Sequence, residues 1–296
     1  MNAPSPANLL LSAEPAPRPA IEALRAAWQA GPPARPRRRH RLDLGRPAPW
    51  GWLLGPALLV LYWSVGSATG VIDPRVLPAP WAAVRTAVEL LANGRLQTDL
   101  AISSLRAGEG LAFGVLFGVV LALLSGLSLL GGYVLDGVIQ MKRAIPTLAL
   151  IPLFILWFGL GESMKVIIIS IAVFIPIYIQ THNALRGIDI RHVELAESLD
   201  LSQFAFIRHV VLPGALPGFL LGLRFAVIAA WGALVVVEQF NATSGVGHMI
   251  ELARTNAQTD IILVGLVLYA LLGLASDFAV RFVEGRVLKW RRVLGR

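Results

Sequence analysis

The sequence contains no cysteine, and this absence excludes disulfide bonds, thiolate metal sites and a cysteine nucleophile. Charged residues are scarce as well, at 15% of the 296 positions, whereas soluble domains carry about 25%. Hydrophobic residues make up 56% of the chain, and the mean hydropathy is +0.67. This balance is typical of an all-α polytopic membrane protein and argues against an ordinary soluble enzyme.

Common enzyme motifs are missing too. There is no Gly-x4-Gly-Lys-Ser/Thr phosphate loop, no His-Glu-x-x-His zinc motif and no Gly-x-Ser-x-Gly nucleophile motif. His182 and His192 stand ten residues apart, which is a poor spacing for a pair of metal ligands. We therefore expect no catalytic residue, metal or cofactor in this chain.

The positive charge of the chain lies beside its apolar runs. The net charge is +8, and arginine and lysine cluster over residues 35–41 and 286–292. Basic residues in such positions anchor a chain to the anionic headgroups of the cytoplasmic leaflet. Because no soluble basic domain accompanies them, we expect membrane lipid as a partner and no nucleic acid.

Six apolar runs are long enough to cross a hydrocarbon core of about 30 Å. They predict six transmembrane helices, over residues 50–72, 110–135, 144–161, 166–185, 210–237 and 261–276. The basic flanks indicate that both termini are cytoplasmic, which agrees with an even number of spans. The segment 186–209 is then cytoplasmic and the segment 241–260 lies outside.

Three glycines share one face of the second predicted span. Gly110, Gly114 and Gly118 are spaced four residues apart. Small residues at this spacing allow two helix backbones to approach closely. We expect them to serve tight packing within the chain rather than a contact between two copies.

The segment 186–213 differs from every other loop because it is amphipathic and charged. It predicts two short helices with a break near Asp200. Asp189 is a candidate N-cap for the first helix, and Asp200 with Gln203 forms a capping-box pattern for the second. An apolar stripe follows, at Phe204, Ile207 and Val211. Such a hairpin is suited to docking in a groove of a cytosolic partner, and the alternative is an amphipathic linker that rests on the bilayer.

The spacing within this segment resembles a known family. Glu194-Leu195-Ala196, Asp200, Val210 and Leu212-Pro213 are similar to the Glu-Ala-Ala loop of type I ATP-binding-cassette importer permeases. Asp200 stands where that pattern has glycine, and aspartate is among the few other residues that tolerate a positive φ. Further segments resemble the sulfonate, taurine and nitrate branch, over residues 77–80, 145–152, 156–159, 222–224 and 257–260. His248 and Ala144 depart from it, at positions often held by tyrosine and proline.

The resemblance implies a permease subunit in the cell inner membrane that is not itself an enzyme. It implies three protein partners: a cytoplasmic ATPase subunit that docks on the loop, an extracytoplasmic substrate-binding protein and a second permease copy. The coupling residues that it implies are Glu194, Leu195, Ala196, Asp200, Phe204, Leu212 and Pro213, and we expect the small Ala196 to press against the ATPase.

With this resemblance, the chain divides into four parts. A disordered basic cytoplasmic tail covers 1–49. A first transmembrane helix and an outer interfacial segment cover 50–96, with an amphipathic helix expected from residue 80 to 91. The permease domain covers 97–281, and a basic cytoplasmic tail covers 282–296.

The expected substrate is a small organic anion, with an aliphatic sulfonate ahead of taurine, nitrate or another small solute. The spans contain few fixed charges, so selection should rest mainly on the binding protein, because a desolvated sulfonate needs several hydrogen-bond donors. The permease would then offer a loosely polar path. Its candidate residues are Trp157, Lys165, Arg224, Trp231 and Asn241.

A secondary transporter driven by an ion gradient is the alternative class. Such carriers usually show inverted repeats and paired intramembrane charges. No internal repeat is visible here, and Asp277 and Arg281 are placed to satisfy each other at i and i+4. Glu238 and Arg224 lie about 21 Å apart along one helix, too far for a local pair. A gradient-driven carrier would also have no need of the 186–213 loop.

Overall fold

The computed structural model describes residues 51–290, apart from the side chains of Trp52 and Asn241. The tail predicted over 1–49 and the end of the tail predicted over 282–296 lie outside this range. The chain divides into two units after Pro56, and the packing described below is that of residues 57–290. All regular elements in the described part are helical, which confirms the predicted all-α fold.

The helices follow one another through short connections. In chain order they are α1 (Gly51–Ala68), α2 (Pro80–Ala92), α3 (Arg95–Leu127), α4 (Leu129–Ala144), α5 (Ile151–Phe158), α6 (Glu162–Arg186), α7 (Ile190–Ser198), α8 (Gln203–Phe206), α9 (Leu212–Asn241), α10 (Val246–Thr255) and α11 (Thr259–Val287). A 3₁₀ turn, Thr147–Leu150, precedes α5, and a π turn, Ile207–Val211, joins α8 to α9. The amphipathic helix expected from residue 80 to 91 is α2.

Helix α6 is the centre of the bundle, and α3 packs along it through the predicted glycines. A Cβ atom added at Gly118 would lie 2.7 Å from Cγ2 of Ile177, and one at Gly114 would lie 2.6 Å from the carbonyl oxygen of Ser170. Gly110 meets Ile169 in the same way. The glycines thus serve close packing within the chain, as predicted. Residue numbers at the contacts increase together along the two helices, so α3 and α6 run in the same direction.

Helix α9 packs on α6 by the same means but in the opposite direction. Gly218 lies against Ala184 and the carbonyl oxygen of Gln180, whereas Gly222 lies against Pro176 and Ile177. The close approach leaves Ile169, Val173 and Ile177 of α6 fully buried. Because α9 runs back along α6, its last residues lie near the start of α6.

The second predicted span, 110–135, is wrong as a single helix. Helix α3 ends at Leu127, and α4 begins at Leu129 after Ser128, whose backbone is extended (φ −133°, ψ 129°). The Ser128 side chain accepts a hydrogen bond from the backbone N–H of Gly131 and so caps α4. The apolar run continues through the turn, and hydropathy alone does not reveal the break.

The third predicted span, 144–161, is also wrong as a single helix. It contains the 3₁₀ turn and the eight-residue helix α5, and the axis of this segment lies at 89° to that of α4. Pro146 explains the interruption, because proline restricts the preceding residue to extended conformations, as observed at Ile145 (φ −94°, ψ 119°), and cannot donate a backbone hydrogen bond. The bent pair of α4 and α5 replaces the straight span.

Four described helices are long and apolar enough to cross a membrane: α3, α6, the run from α8 to α9, and α11. The bent pair makes a fifth if it counts as one span, and α1 is a shorter apolar helix. Helix α11 extends to Val287, well beyond the predicted end at 276. The polytopic fold is thus observed, while the count of six spans stays a prediction.

The bundle has two ends that matter for function. We call the end that carries residues 187–211 the loop end and the other the far end. Leu127 and Val287 lie at the loop end, since α3 runs parallel to α6, and α11 pairs antiparallel with α9 through Arg224–Asp277 and Trp231–Ser276. The starts of α6 and α11 and the whole of α10 lie at the far end.

Candidate coupling loop and a buried ion network

Two short helices form the loop between α6 and α9, as the sequence predicts. Asp189 caps α7, because its Oδ1 accepts a hydrogen bond of 3.0 Å from the backbone N–H of Arg191. The turn after α7 places Asp200 at φ 51°, in the left-handed region. The N–H of Leu201 bonds to the carbonyl of Ala196, and the N–H of Asp200 bonds to that of Glu197. This pair of bonds is a Schellman motif, and Asp200 occupies its left-handed position.

The predicted capping box from Asp200 to Gln203 is wrong. The N-cap of α8 is Ser202, whose Oγ accepts a hydrogen bond from the N–H of Ala205. Asp200 cannot serve as the cap because its left-handed backbone ends the preceding helix, whereas an N-cap needs an extended backbone. The second helix therefore begins two residues later than the pattern suggested.

The side chains of the loop divide into an inner and an outer set. Val211 is buried and Ile207 is half-buried, and both pack against Leu185 and Ala215 of the bundle. Ala196 is 5% exposed, so it lies inside the chain and does not face a partner, in contrast to what we expected. Glu194 and Asp200 are exposed, Leu212 is 48% exposed and Pro213 is half-buried.

Four large apolar side chains of the loop have more than half of their surface exposed. Ile190, Leu195, Leu199 and Phe204 are between 57% and 72% exposed, and we call them the docking face. They come from both short helices and from the turn between them. A group of exposed apolar residues on a charged loop is typical of a protein interaction surface.

The candidate path residues are not brought together. Arg224 pairs with Asp277 of α11 at 3.1 Å, and the indole N–H of Trp231 donates to Ser276 at 3.0 Å. Trp157 is 61% exposed on α5, and Lys165 is buried at the far end. The Asn241 side chain lies outside the described residues. Arg224 follows Gly222, which meets Pro176 and Ile177, so it lies near residue 175 of α6, roughly 15 Å along the helix axis from Lys165.

A buried ion network at the far end joins the three helices α3, α6 and α9. The Arg106 guanidinium of α3 donates to both oxygens of Glu162 at 2.6 and 2.7 Å and to Glu238 of α9 at 2.7 Å. Lys165 Nζ donates to the same Glu162 carboxylate at 2.7 Å. The side chains of Arg106 and Lys165 are 5% and 3% exposed, whereas that of Glu162 is 60% exposed. Two buried cations thus meet at one accessible carboxylate.

Glu238 is the buried anchor of this network, with no exposed surface. Besides Arg106, its carboxylate accepts hydrogen bonds from Ser103, Tyr269 and the backbone N–H of Gly247. These bonds tie α3, α9, α10 and α11 together. Removing one partner of a buried pair typically costs about 3–5 kcal/mol, so the far end is firmly held.

Sequence reasoning missed the ion network. From the sequence, Glu238 was weighed as an ion-pair partner only for Arg224 of the same helix, and Lys165 was named without a partner. The available signal was that Arg106 and Glu162 lie just outside predicted spans, while intramembrane charges are expected to pair across helices. The partners come from distant parts of the chain, so spacing alone could not match them.

Comparison with known proteins decides the family. Residues 114–289 match the family described as "Binding-protein-dependent transport system inner membrane component". This chain belongs to that family. The permease is thus the membrane subunit of a type I ATP-binding-cassette importer, and the matched residues include the loop with its docking face.

Two relatives from one organism differ in their similarity to this permease. The aliphatic sulfonates transport permease protein SsuC of Escherichia coli (strain K12) is 43% identical over 83% of this chain and 92% of that protein. The taurine transport system permease protein TauC of the same strain is 31% identical over 79% of this chain and 86% of that protein. Both alignments cover most of the permease.

A solved structure supports the fold alone. The crystal structure of an amino acid ABC transporter with histidines aligns with a TM-score of 0.57 and 17% identity. The alignment covers 68% of this permease and 97% of that chain. At this identity the likeness concerns the arrangement of helices and says nothing of substrate.

Proposed function

We propose that this permease forms the translocation path for a small organic anion, and that the anion is an aliphatic sulfonate. The observation that carries the proposal is the greater identity to SsuC than to TauC of the same strain, 43% against 31%. Taurine is itself a small sulfonate with an amino group. Taurine, nitrate and other small solutes are the alternative substrates for the same class of permease.

The docking face supports an ATPase partner. A cytoplasmic ATPase subunit binds Ile190, Leu195, Leu199 and Phe204, because apolar side chains with more than half of their surface exposed are stabilised by burial in a partner's groove. ATP hydrolysis then takes place on that subunit. An ion-gradient carrier would have no use for this face, so the face favours the ATP-driven class.

An extracytoplasmic binding protein delivers the substrate to the far end, and a second copy of the permease completes the path. The predicted coupling residues Glu194, Leu195, Ala196, Asp200, Phe204, Leu212 and Pro213 act as one unit in this scheme. Ala196 acts from inside the loop, since it is buried there. The permease lies in the cell inner membrane and contacts lipid along its apolar outer surface.

The distribution of charge supports an orientation with the loop end in the cytoplasm. Exposed basic residues are more numerous at the loop end, namely Arg186, Arg191, Arg208, Arg281, Arg286 and Lys289. At the far end, Arg85, Arg95 and Arg254 each pair with a neighbouring carboxylate. Positive residues favour the cytoplasmic side of a membrane. Both termini are then cytoplasmic if α1 is a further span.

The direction of the helices supports six spans. Because α3 and α6 are parallel, the chain must return from the loop end to the far end between Leu127 and Glu162. The bent pair of α4 and α5 makes this return, so that it counts as one crossing. Together with α1, α3, α6, α9 and α11, the total is six.

Growth on a sulfonate tests the substrate. A strain that lacks the gene should lose growth on an alkanesulfonate as sole sulfur source and retain growth on sulfate. Restoring the gene should restore both growth and uptake of the labelled alkanesulfonate. Normal growth of the deletion strain on several alkanesulfonates, with lost uptake of nitrate or of a neutral solute, would refute the substrate and leave the family unaffected.

A further inference from the structure

We propose that Glu162 is an exchangeable counter-anion, and that the sulfonate group of the substrate takes its place between Arg106 and Lys165. This inference rests on the proposed function, since it assigns a binding site to the anion. The starting observation is the asymmetry of the ion network. Its two cations are almost fully buried, whereas the carboxylate that they share is 60% exposed. Of these partners, the carboxylate alone has free access to solvent.

Three hydrogen-bond donors converge on the position that the carboxylate occupies. They are Nε and Nη2 of Arg106 and Nζ of Lys165, at 2.6 to 2.7 Å from the Glu162 oxygens. A sulfonate group presents three oxygen acceptors, one for each donor. Among the described residues, Lys165 has no other hydrogen-bond partner than Glu162. If Glu162 turned away without replacement, a buried ammonium would be left unpaired, which is strongly unfavourable.

The charges of the network favour an anion in that position. Arg106 and Lys165 are balanced by Glu162 and Glu238, and Glu238 remains fixed by its four partners. When Glu162 leaves, one positive charge is uncompensated. A sulfonate carries one negative charge and restores the balance, whereas a neutral solute does not. The exchange therefore selects for a monovalent anion.

A cavity beside Glu162 accommodates the rest of the substrate. It has a volume of about 550 Å³ and is lined by Glu162 and Ser163 next to the cations and by the apolar side chains of Phe113, Phe117, Ile167 and Ile171. An alkyl chain attached to the sulfonate would extend along these apolar residues and remove them from water. The combination of an anion position and an apolar wall fits an alkanesulfonate better than nitrate.

Binding of pentanesulfonate to the full chain in lipid nanodiscs, without a binding protein, tests the exchange. Glu162→Gln removes the competing charge and keeps the shape, so it should bind pentanesulfonate roughly tenfold more tightly than the unmodified chain. Binding of 1-pentanol, which is neutral, should not change. Glu89→Gln is the matched control, because Glu89 is a similarly exposed carboxylate at the far end that pairs with Arg85 and does not line this cavity. It should leave both affinities unchanged.

Equal or weaker binding of pentanesulfonate by Glu162→Gln would overturn the proposal. An equal gain for pentanol would overturn it too, since the cavity would then be only an apolar groove for lipid or a second copy. If Glu162→Gln does not fold, infrared difference spectra of the unmodified chain serve instead. Pentanesulfonate should shift a carboxylate band and pentanol should not, and absence of the shift contradicts the exchange. If wild-type cells import no sulfonate, the proposed function fails by itself, whatever the Glu162 variant binds.

Discussion

Phe204 is the most exposed side chain of the docking face, at 72%. Phe204→Asp should therefore leave insertion and thermal stability unchanged, because the ring makes little contact within the chain. It should weaken ATPase binding by roughly thirtyfold, which is typical of an aromatic residue at the centre of an interface. Binding is measured by titrating labelled ATPase onto the purified permease. Phe204→Leu keeps an apolar side chain and is the control. Undiminished binding by Phe204→Asp would mean that the face is no docking site.

At the residue scale, local backbone chemistry could be predicted and side-chain surroundings could not. The capping role of Asp189 and the left-handed backbone of Asp200 follow from residue type, and both are observed. Ala196 was expected at the partner surface but is buried. A small residue fits both the outer face of a short helix and the face that packs within the chain, so residue type does not distinguish them. The ion network was missed because Arg106, Glu162 and Glu238 come from three separate helices.

At the element scale, the packing of α3 on α6 depends on the glycines of α3, which have no side chain to separate the two helices. Gly114→Val should destabilise the protein by about 1–3 kcal/mol, because the new Cβ would meet Val173 and the Ser170 carbonyl at 2.5 to 2.6 Å. Gly108→Val is the matched control on the same helix, since a Cβ there meets nothing within 4 Å. The two midpoints of thermal unfolding in detergent are compared. A midpoint for Gly114→Val as high as that of the control would contradict the packing.

Helix positions were predictable where one apolar run corresponds to one straight helix, as for α6 and α9. The apolar runs did not predict the helix boundaries where the chain turns without becoming polar. Ser128 and the proline-rich segment before α5 interrupt helices inside apolar sequence, because the membrane or the bundle surrounds the turn as well as the helices. Hydropathy indicates whether a segment has apolar surroundings, and these are the same for the turn and the helices. It therefore does not locate such breaks.

At the scale of the whole molecule, the orientation in the membrane is open to a direct test. The chain has no cysteine, so single substitutions report one position each. Thr243 and Thr255 are exposed at the far end, and Ser198 is exposed at the loop end. An impermeant thiol reagent added outside should label Thr243→Cys and Thr255→Cys and should miss Ser198→Cys until the membrane is opened. External labelling of Ser198→Cys would reverse the orientation.

We expect this permease to couple ATP hydrolysis on a separate subunit to import. Uptake of labelled pentanesulfonate into proteoliposomes measures this directly, with permease and ATPase in the membrane and binding protein outside. Uptake should require ATP inside, persist when ion gradients are collapsed, and fall to background in Phe204→Asp. Uptake that needs no ATP and disappears with the ion gradient would contradict it.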